Sequence, residues 1–162
     1  MNRGHDRSLA WCGWWVVVVL LIAGCSRRMD DKWTRMRPPV FPATGLVIYQ
    51  GKPVAGATVM LESQGPDEKS RGKVAIGHTD SGGRFRVQTY KEYEGAVAGP
   101  HRVSVTKFEY IENKPANADP NIDYPLIPKP LLPVRYKDFE TSGLTAAVTE
   151  QGPNSFRLEL EE

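Results

Sequence analysis

From residue 44 onward, apolar and polar residues alternate with a period of two. Within Thr44–Tyr49, Leu46 and Ile48 share one face. Ala57, Val59 and Leu61 alternate with Thr58, Met60 and Glu62, and Val74, Ile76 and His78 with Ala75, Gly77 and Thr79. Phe85 and Val87 stand against Arg84, Arg86 and Gln88, and Val103 and Val105 against Arg102, Ser104 and Thr106. Leu144, Ala146 and Val148, then Phe156, Leu158 and Leu160, complete the series. A period of two marks a strand with one face buried. No segment sustains the i, i+3, i+4, i+7 spacing of an amphipathic helix. A single flat sheet would leave the apolar faces wet, whereas two sheets packed together bury them. The pattern predicts an all-β fold, a seven-stranded Greek-key β-sandwich occupying residues 44–162.

The interruptions carry turn chemistry. Gln50-Gly51-Lys52-Pro53 and Asp80-Ser81-Gly82-Gly83 are turns by composition. Gly51 and Gly56 permit backbone angles that a β-carbon opposes, and Pro53 presets its turn. Asp80 is placed to accept from following backbone N–H groups, with Gly82 or Gly83 supplying the positive φ. Residues 109–134 hold six prolines: Pro115, Pro120, Pro125, Pro128, Pro130 and Pro133. Such density forbids a central strand or a helix interior. The expectation is a proline-rich loop insertion, packed on the sandwich through Ile122, Tyr124, Leu126, Ile127, Leu131 and Leu132. Tyr110, Tyr124 and Tyr136 are the candidate contacts for a partner, because amphipathic rings supply contact area at low entropic cost. Packing of the loop onto the sandwich is the alternative role for these rings.

The N-terminus breaks with this pattern. Arg3, His5 and Arg7 precede a charge-free run from Ser8 to Ser26, with Trp14–Ile22 at its heart. These are the basic and apolar regions of a secretory signal. At 19 residues the run also approaches the roughly 20 that a spanning helix needs, so a plain membrane anchor is the competing reading. Its ending, Leu21-Ile22-Ala23-Gly24-Cys25, resembles the lipobox of bacterial lipoproteins. That resemblance implies recognition of Leu21–Gly24 by a signal peptidase, loss of residues 1–24 and lipidation of Cys25 (diacylglyceryl and palmitate-type chains). Ser26 after the cysteine resembles the pattern of an outer-membrane destination. Residues 25–43 then read as a basic, proline-containing tether, either solvated or resting on anionic headgroups.

Composition narrows the chemistry further. Twenty-one Lys and Arg against 19 Asp and Glu give a formal +2, which offers nucleic acid no electrostatic footprint. With Cys12 in the leader and Cys25 capped, the processed chain has no free thiol for catalysis, metal binding or a disulfide. His78 reads as a partly buried histidine at a strand end and His101 as a surface or edge histidine. No H-x-H or HExxH spacing joins them, so no metal and no cofactor is expected. Asp80, Asp67, Glu68, Asp119 and Asp123 do not form a calcium-loop pattern, and a turn role for Asp80 is expected. No G-x-S-x-G and no glycine-rich phosphate loop is present.

Three blocks resemble the carboxypeptidase regulatory-like domain. They are Gly45–Val59, with Gly51-Lys52-Pro53-Val54-Ala55-Gly56-Ala57; Gly77–Phe85, with Thr79-Asp80-Ser81-Gly82-Gly83-Arg84-Phe85; and Gly95–Val105, with Gly99-Pro100-His101-Arg102-Val103. Tyr136–Val148 is similar to the C-terminal part of small lipoproteins built on this domain. The resemblance implies a transthyretin-like (prealbumin-like) seven-stranded sandwich and a module that is not an enzyme. A hydrolase of 5-hydroxyisourate shares that fold, but its C-terminal Tyr-Arg-Gly-Ser is replaced here by Phe156-Arg157-Leu158-Glu159 and the residues after it. The expected function is a lipid-anchored binding or structural module of the cell envelope, meeting a protein, a glycan or the wall. The alternative is a cryptic hydrolase or metal-dependent protein using His78, His101 and nearby carboxylates.

Overall fold

The computed structural model describes residues 36–162, except Glu92 and Ala118. Thirteen strands occur among the described residues: β1 (Val40–Phe41), β2 (Ala43–Tyr49), β3 (Lys52–Pro53), β4 (Thr58–Ser63), β5 (Val74–His78), β6 (Arg84–Tyr90), β7 (Tyr93–Glu94), β8 (Ala96–Val97), β9 (Gly99–Thr106), β10 (Phe108–Glu112), β11 (Leu126–Pro130), β12 (Leu144–Val148) and β13 (Asn154–Leu160). The seven periodic segments are β2, β4, β5, β6, β9, β12 and β13. The other six strands are short or lie in the arm described below. A single 3-10 turn, Val134–Lys137, is the helical element among the described residues.

One ladder runs in the order β12-β9-β4-β5-β6-β2-β13, with β3 on β2 and β7 on β6. Strand β6 is its corner. Arg84, Phe85 and Arg86 pair with Leu46, Gly45 and Thr44 of β2, whereas Val87 and Gln88 pair with Gly77 and Ile76 of β5. By changing partners midway, β6 lets the sheet curl back over itself. Val59, Leu61, Val103 and Val148 from one half then share a core with Val47, Phe85, Leu158 and Leu160 from the other. The architecture is all-β and sandwich-like, and its core pairs are antiparallel except for parallel β2 and β13. Each large side chain so buried contributes about 1.5–3 kcal/mol relative to exposure.

The periodic reading needs correction at β2 and at β5. In β2 the core residues are Ala43 and Val47, and Leu46 lies on the opposite face. Ala75, Gly77 and Thr79 face inward, while Ile76 and His78 are exposed. The inward positions are small because neighbouring backbone comes close: a β-carbon on Gly77 would collide with the Arg86 carbonyl. Thr79 is held inside by hydrogen bonding, its Oγ1 accepting from the Ala57 N–H at 2.7 Å. The larger apolar residues of β5, Val74 and Ile76, therefore lie on the outer face.

Residues 36–43, the last part of the segment predicted as a tether, contribute to the body. The folded unit begins at Met36. Strand β1 pairs with β8, Phe41 packs against the core and the Arg37 guanidinium sits 5.0 Å from the Tyr90 ring centre. Cys25 and Leu21–Gly24 lie outside the described residues.

The proline-rich insertion also differs from expectation. It holds a hairpin, β10 against β11, which forms its own two-stranded sheet. Proline is tolerated because β11 is an edge strand. Of the apolar residues expected to pack on the sandwich, Leu132 is buried, whereas Ile122, Leu126, Ile127 and Leu131 are exposed.

Candidate functional site

The turns behave as their residues require. Gln50 and Gly51 both adopt positive φ, +50° and +74°, and return the chain as β3 against β2, with Pro53 opposite Ile48. Such a two-residue turn matches the twist of its hairpin. Asp80 Oδ1 accepts from the N–H groups of Gly82 and Arg84, both at 2.9 Å. Gly83, not Gly82, supplies the positive φ of +75°. A β-carbon on Gly83 would also stand 2.9 Å from the Val47 carbonyl oxygen. Gly56, at φ +66°, leads into β4. Asp67 makes a second such loop. Hydrogen bonding from the Ser70 hydroxyl, at 2.6 Å, holds its carboxyl below the ordinary carboxylate value.

The two histidines do not meet. His78 stands opposite Thr58 of β4, His101 opposite Ser63, and five residues of strand separate those positions by roughly 17 Å. His78 is exposed, with Nδ1 at 3.2 Å from the Thr58 hydroxyl. His101, expected at the surface, is 2% exposed on the inner face of β9. Its parity with Val103 and Val105 carries it inside. Nδ1 faces the Gly99 carbonyl at 3.0 Å and so is the protonated nitrogen. Nε2 is buried without a partner among the described residues. Burial holds the ring below its ordinary pKa, partly opposed by the Gly99 bond. Among the described residues, no three His, Cys, Asp or Glu side chains gather as a metal site.

The three tyrosines also separate. Tyr136 is 4% exposed and lies in the 3-10 turn, where its hydroxyl accepts from Glu161 N–H at 2.8 Å and from Arg135 at 2.7 Å. It closes the body against the end of β13, which removes it from any contact surface. Tyr124 is half-buried, its hydroxyl accepting from Asp119 N–H at 3.0 Å within the insertion. Tyr110 is 66% exposed on β10.

The arm concentrates the exposed apolar surface: Phe108, Tyr110, Ile111, Ile122, Leu126, Ile127, Leu131 and Val134. Exposed apolar side chains gathered on one element mark interaction surfaces. Its position is fixed by β9. That strand starts at Gly99, beside the β1–β8 entry of the chain, and ends at Thr106, where the arm begins. The arm root and the chain entry are thus about 23 Å apart, at opposite poles.

The backbone of the arm is asymmetric. Two bonds bracket its ladder, Leu131 N–H to Lys107 O at 2.9 Å and Asn113 N–H to Pro125 O at 3.0 Å. By antiparallel alternation, odd-numbered β10 residues face β11, and Phe108, Tyr110 and Glu112 direct their N–H and C=O outward. Opposite them stand Pro130, Pro128 and Leu126. The outer edge of β11 therefore lacks two donors, while that of β10 keeps all three. Sequence reasoning saw the prolines as barriers to a strand, but the register that makes them edge blockers became visible only with the pairing. At the arm's root an apolar groove of about 270 Å³ is lined by Val105, Phe108, Pro128, Pro130, Leu132 and Val134.

A second concavity, about 710 Å³ and open, lies on the outer face of β6, β2 and β13. The sequence does not reveal it, because the arginines that line it occur as ordinary polar positions in two strands, β6 and β13, far apart in the chain. Among the described residues, no helix is long and apolar enough to cross a membrane. Comparison with protein-family models, curated proteins and solved structures finds no match to this chain.

Proposed function

We propose that the chain is a non-catalytic, lipid-anchored binding module of the bacterial cell envelope, whose arm captures an extended segment of a partner protein. On this reading Cys25 carries the lipid, the body is a Greek-key sandwich of the transthyretin-like, carboxypeptidase regulatory-like type, and the membrane of residence is the outer one. The observation that carries it is the one-sided arm edge. Strand β10 presents the outward N–H and C=O groups of Phe108 and Tyr110 and the N–H of Glu112, whose C=O accepts from Lys114 N–H at 3.0 Å, and prolines blunt the edge of β11. An open edge recruits a further strand, with main-chain bonds giving affinity and side-chain pockets giving specificity. The groove beneath Phe108 suits an apolar side chain of the added strand.

The test uses two variants at one position in intact cells, with a photo-crosslinking residue at Ile111. Tyr110→Ala keeps the edge N–H, whereas Tyr110→Pro removes it without touching the ladder to β11. Adducts to a second protein should persist in the alanine variant and fall at least tenfold in the proline variant. Equal yields would refute strand capture, and adducts only to the chain itself would reassign the edge to self-pairing. Cys25→Ala should abolish palmitate labelling, and retained labelling would overturn the anchor.

A further inference from the structure

Alternation along β6, β2 and β13 sends Phe85, Gly45, Val47 and Leu158 toward the core and Arg84, Arg86, Thr44, Leu46, Ser155 and Arg157 toward solvent. Register arranges the outward set in two rows, Arg84–Leu46–Arg157 and Arg86–Thr44–Ser155. Adjacent strands stand about 4.8 Å apart, so Arg84 and Arg157 rise roughly 10 Å apart on either side of Leu46. Arg86 rises roughly 7 Å along β6 from Arg84. These side chains line the open groove of about 710 Å³, together with His78, Asp80 and Phe156.

The guanidinium groups of Arg84 and Arg157 thus line one concavity whose lining carboxylate, Asp80, already accepts two N–H bonds of its own turn. Arg157 has a neighbour in Glu159 at 2.6 Å, across two exposed side chains. Among the described residues Arg84 makes no ion pair. Like charges at this spacing repel by roughly 0.5 kcal/mol per pair even in water, a cost that an anionic occupant reverses. Planar guanidinium forks match carboxylates bidentately, and the hydroxyls of Thr44 and Ser155 add donors beside them. The open concavity, with its two cationic side chains roughly 10 Å apart, admits a chain bearing repeated anionic groups, and a concave floor does not fit the plane of a bilayer.

We infer that this groove is a binding site for an acidic polysaccharide, with Arg84 and Arg157 gripping carboxylates of successive sugars over Leu46. The site is independent of the strand-capture reading and lies on a different face. The test is calorimetric titration of the full chain, held in neutral detergent, with polygalacturonate. Binding is expected at 50 mM salt (on the order of one Debye length of about 14 Å), weakening at least tenfold at 300 mM, with none to neutral dextran. Combined Arg84→Gln and Arg157→Gln should weaken binding at least tenfold, and Arg84→Lys should fall between, because it keeps charge but loses the fork. Lys129→Gln on the arm should leave binding unchanged. A thermal melt confirms that each variant is folded. Absence of binding at low salt, equal binding by the double variant, equal binding of dextran, or arginine-dependent binding to phosphatidylglycerol vesicles without uronate binding would each overturn the site.

Discussion

His101 combines three conditions that rarely coincide on one side chain: full burial, one hydrogen bond and a ring nitrogen with no partner among the described residues. Its consequence is a pH dependence of stability. Burial places the folded-state pKa below the ordinary value of 6.5. Above 6.5 the ring is neutral in both states and the native fold is not penalised. As pH falls below 6.5 the unfolded chain takes up the proton first, so stability declines until the depressed native pKa is reached, at up to about 1.4 kcal/mol per pH unit. His101→Leu should remove that part of the slope while changing stability near pH 7.5 by no more than about 1–2 kcal/mol. Urea unfolding of both proteins between pH 5 and 8 measures the difference, and parallel profiles would refute the assignment. Gly83 shows what was legible at this scale. A turn from Asp80 to Gly83 follows from residue chemistry, but the approach of Val47 and Pro53, which closes the position to a β-carbon, comes from residues 30 or more positions away.

Among the elements, the arm is exposed while β4 lies in the core. Leu61 of β4 is fully buried, and Leu61→Ala should cost about 2–5 kcal/mol through lost burial and the cavity left behind. Tyr110→Ser and Leu126→Ser remove side chains that are 66% and 60% exposed, and each should shift stability by less than about 0.5 kcal/mol. Denaturant titrations check both, and a cost above 1 kcal/mol at either arm position would mean that the arm is packed on the body. Strand existence was readable for all seven periodic segments, because one buried face imposes a period of two. The side that is buried was not always readable. In β5 the small residues face inward, since backbone crowding from Arg86 outweighs the gain from burying Ile76. The hairpin in the insertion was hidden by its prolines, which exclude a central strand but not an edge.

For the whole molecule, closure depends on contacts far apart in sequence. Strand β6 turns the ladder over, and β13 returns the C-terminus alongside β2. Tyr136 completes the closure by binding Glu161 N–H beyond the end of β13, with the Arg135 guanidinium 4.8 Å from its ring centre. Tyr136→Phe should cost about 0.5–1.5 kcal/mol for the lost bond, and Tyr136→Ala about 3–5 kcal/mol for the emptied core position. Equal costs in equilibrium unfolding would place the whole effect in the hydroxyl and contradict the packing role.

The sequence by itself determined that the body is built of strands, where most of them lie and how its principal turns are made, because periodicity and turn chemistry act over a few neighbouring residues. It also carries Leu21–Cys25 as a motif of adjacent residues. Tertiary structure alone decided that His101 is buried and His78 exposed, and that Tyr136 is a closing plug instead of a contact. It alone set Arg84, Arg86 and Arg157 around one groove and left β10 with an open edge. Each of these depends on which strands become neighbours and in what register, and pairing between distant segments is fixed by the fold of the whole chain.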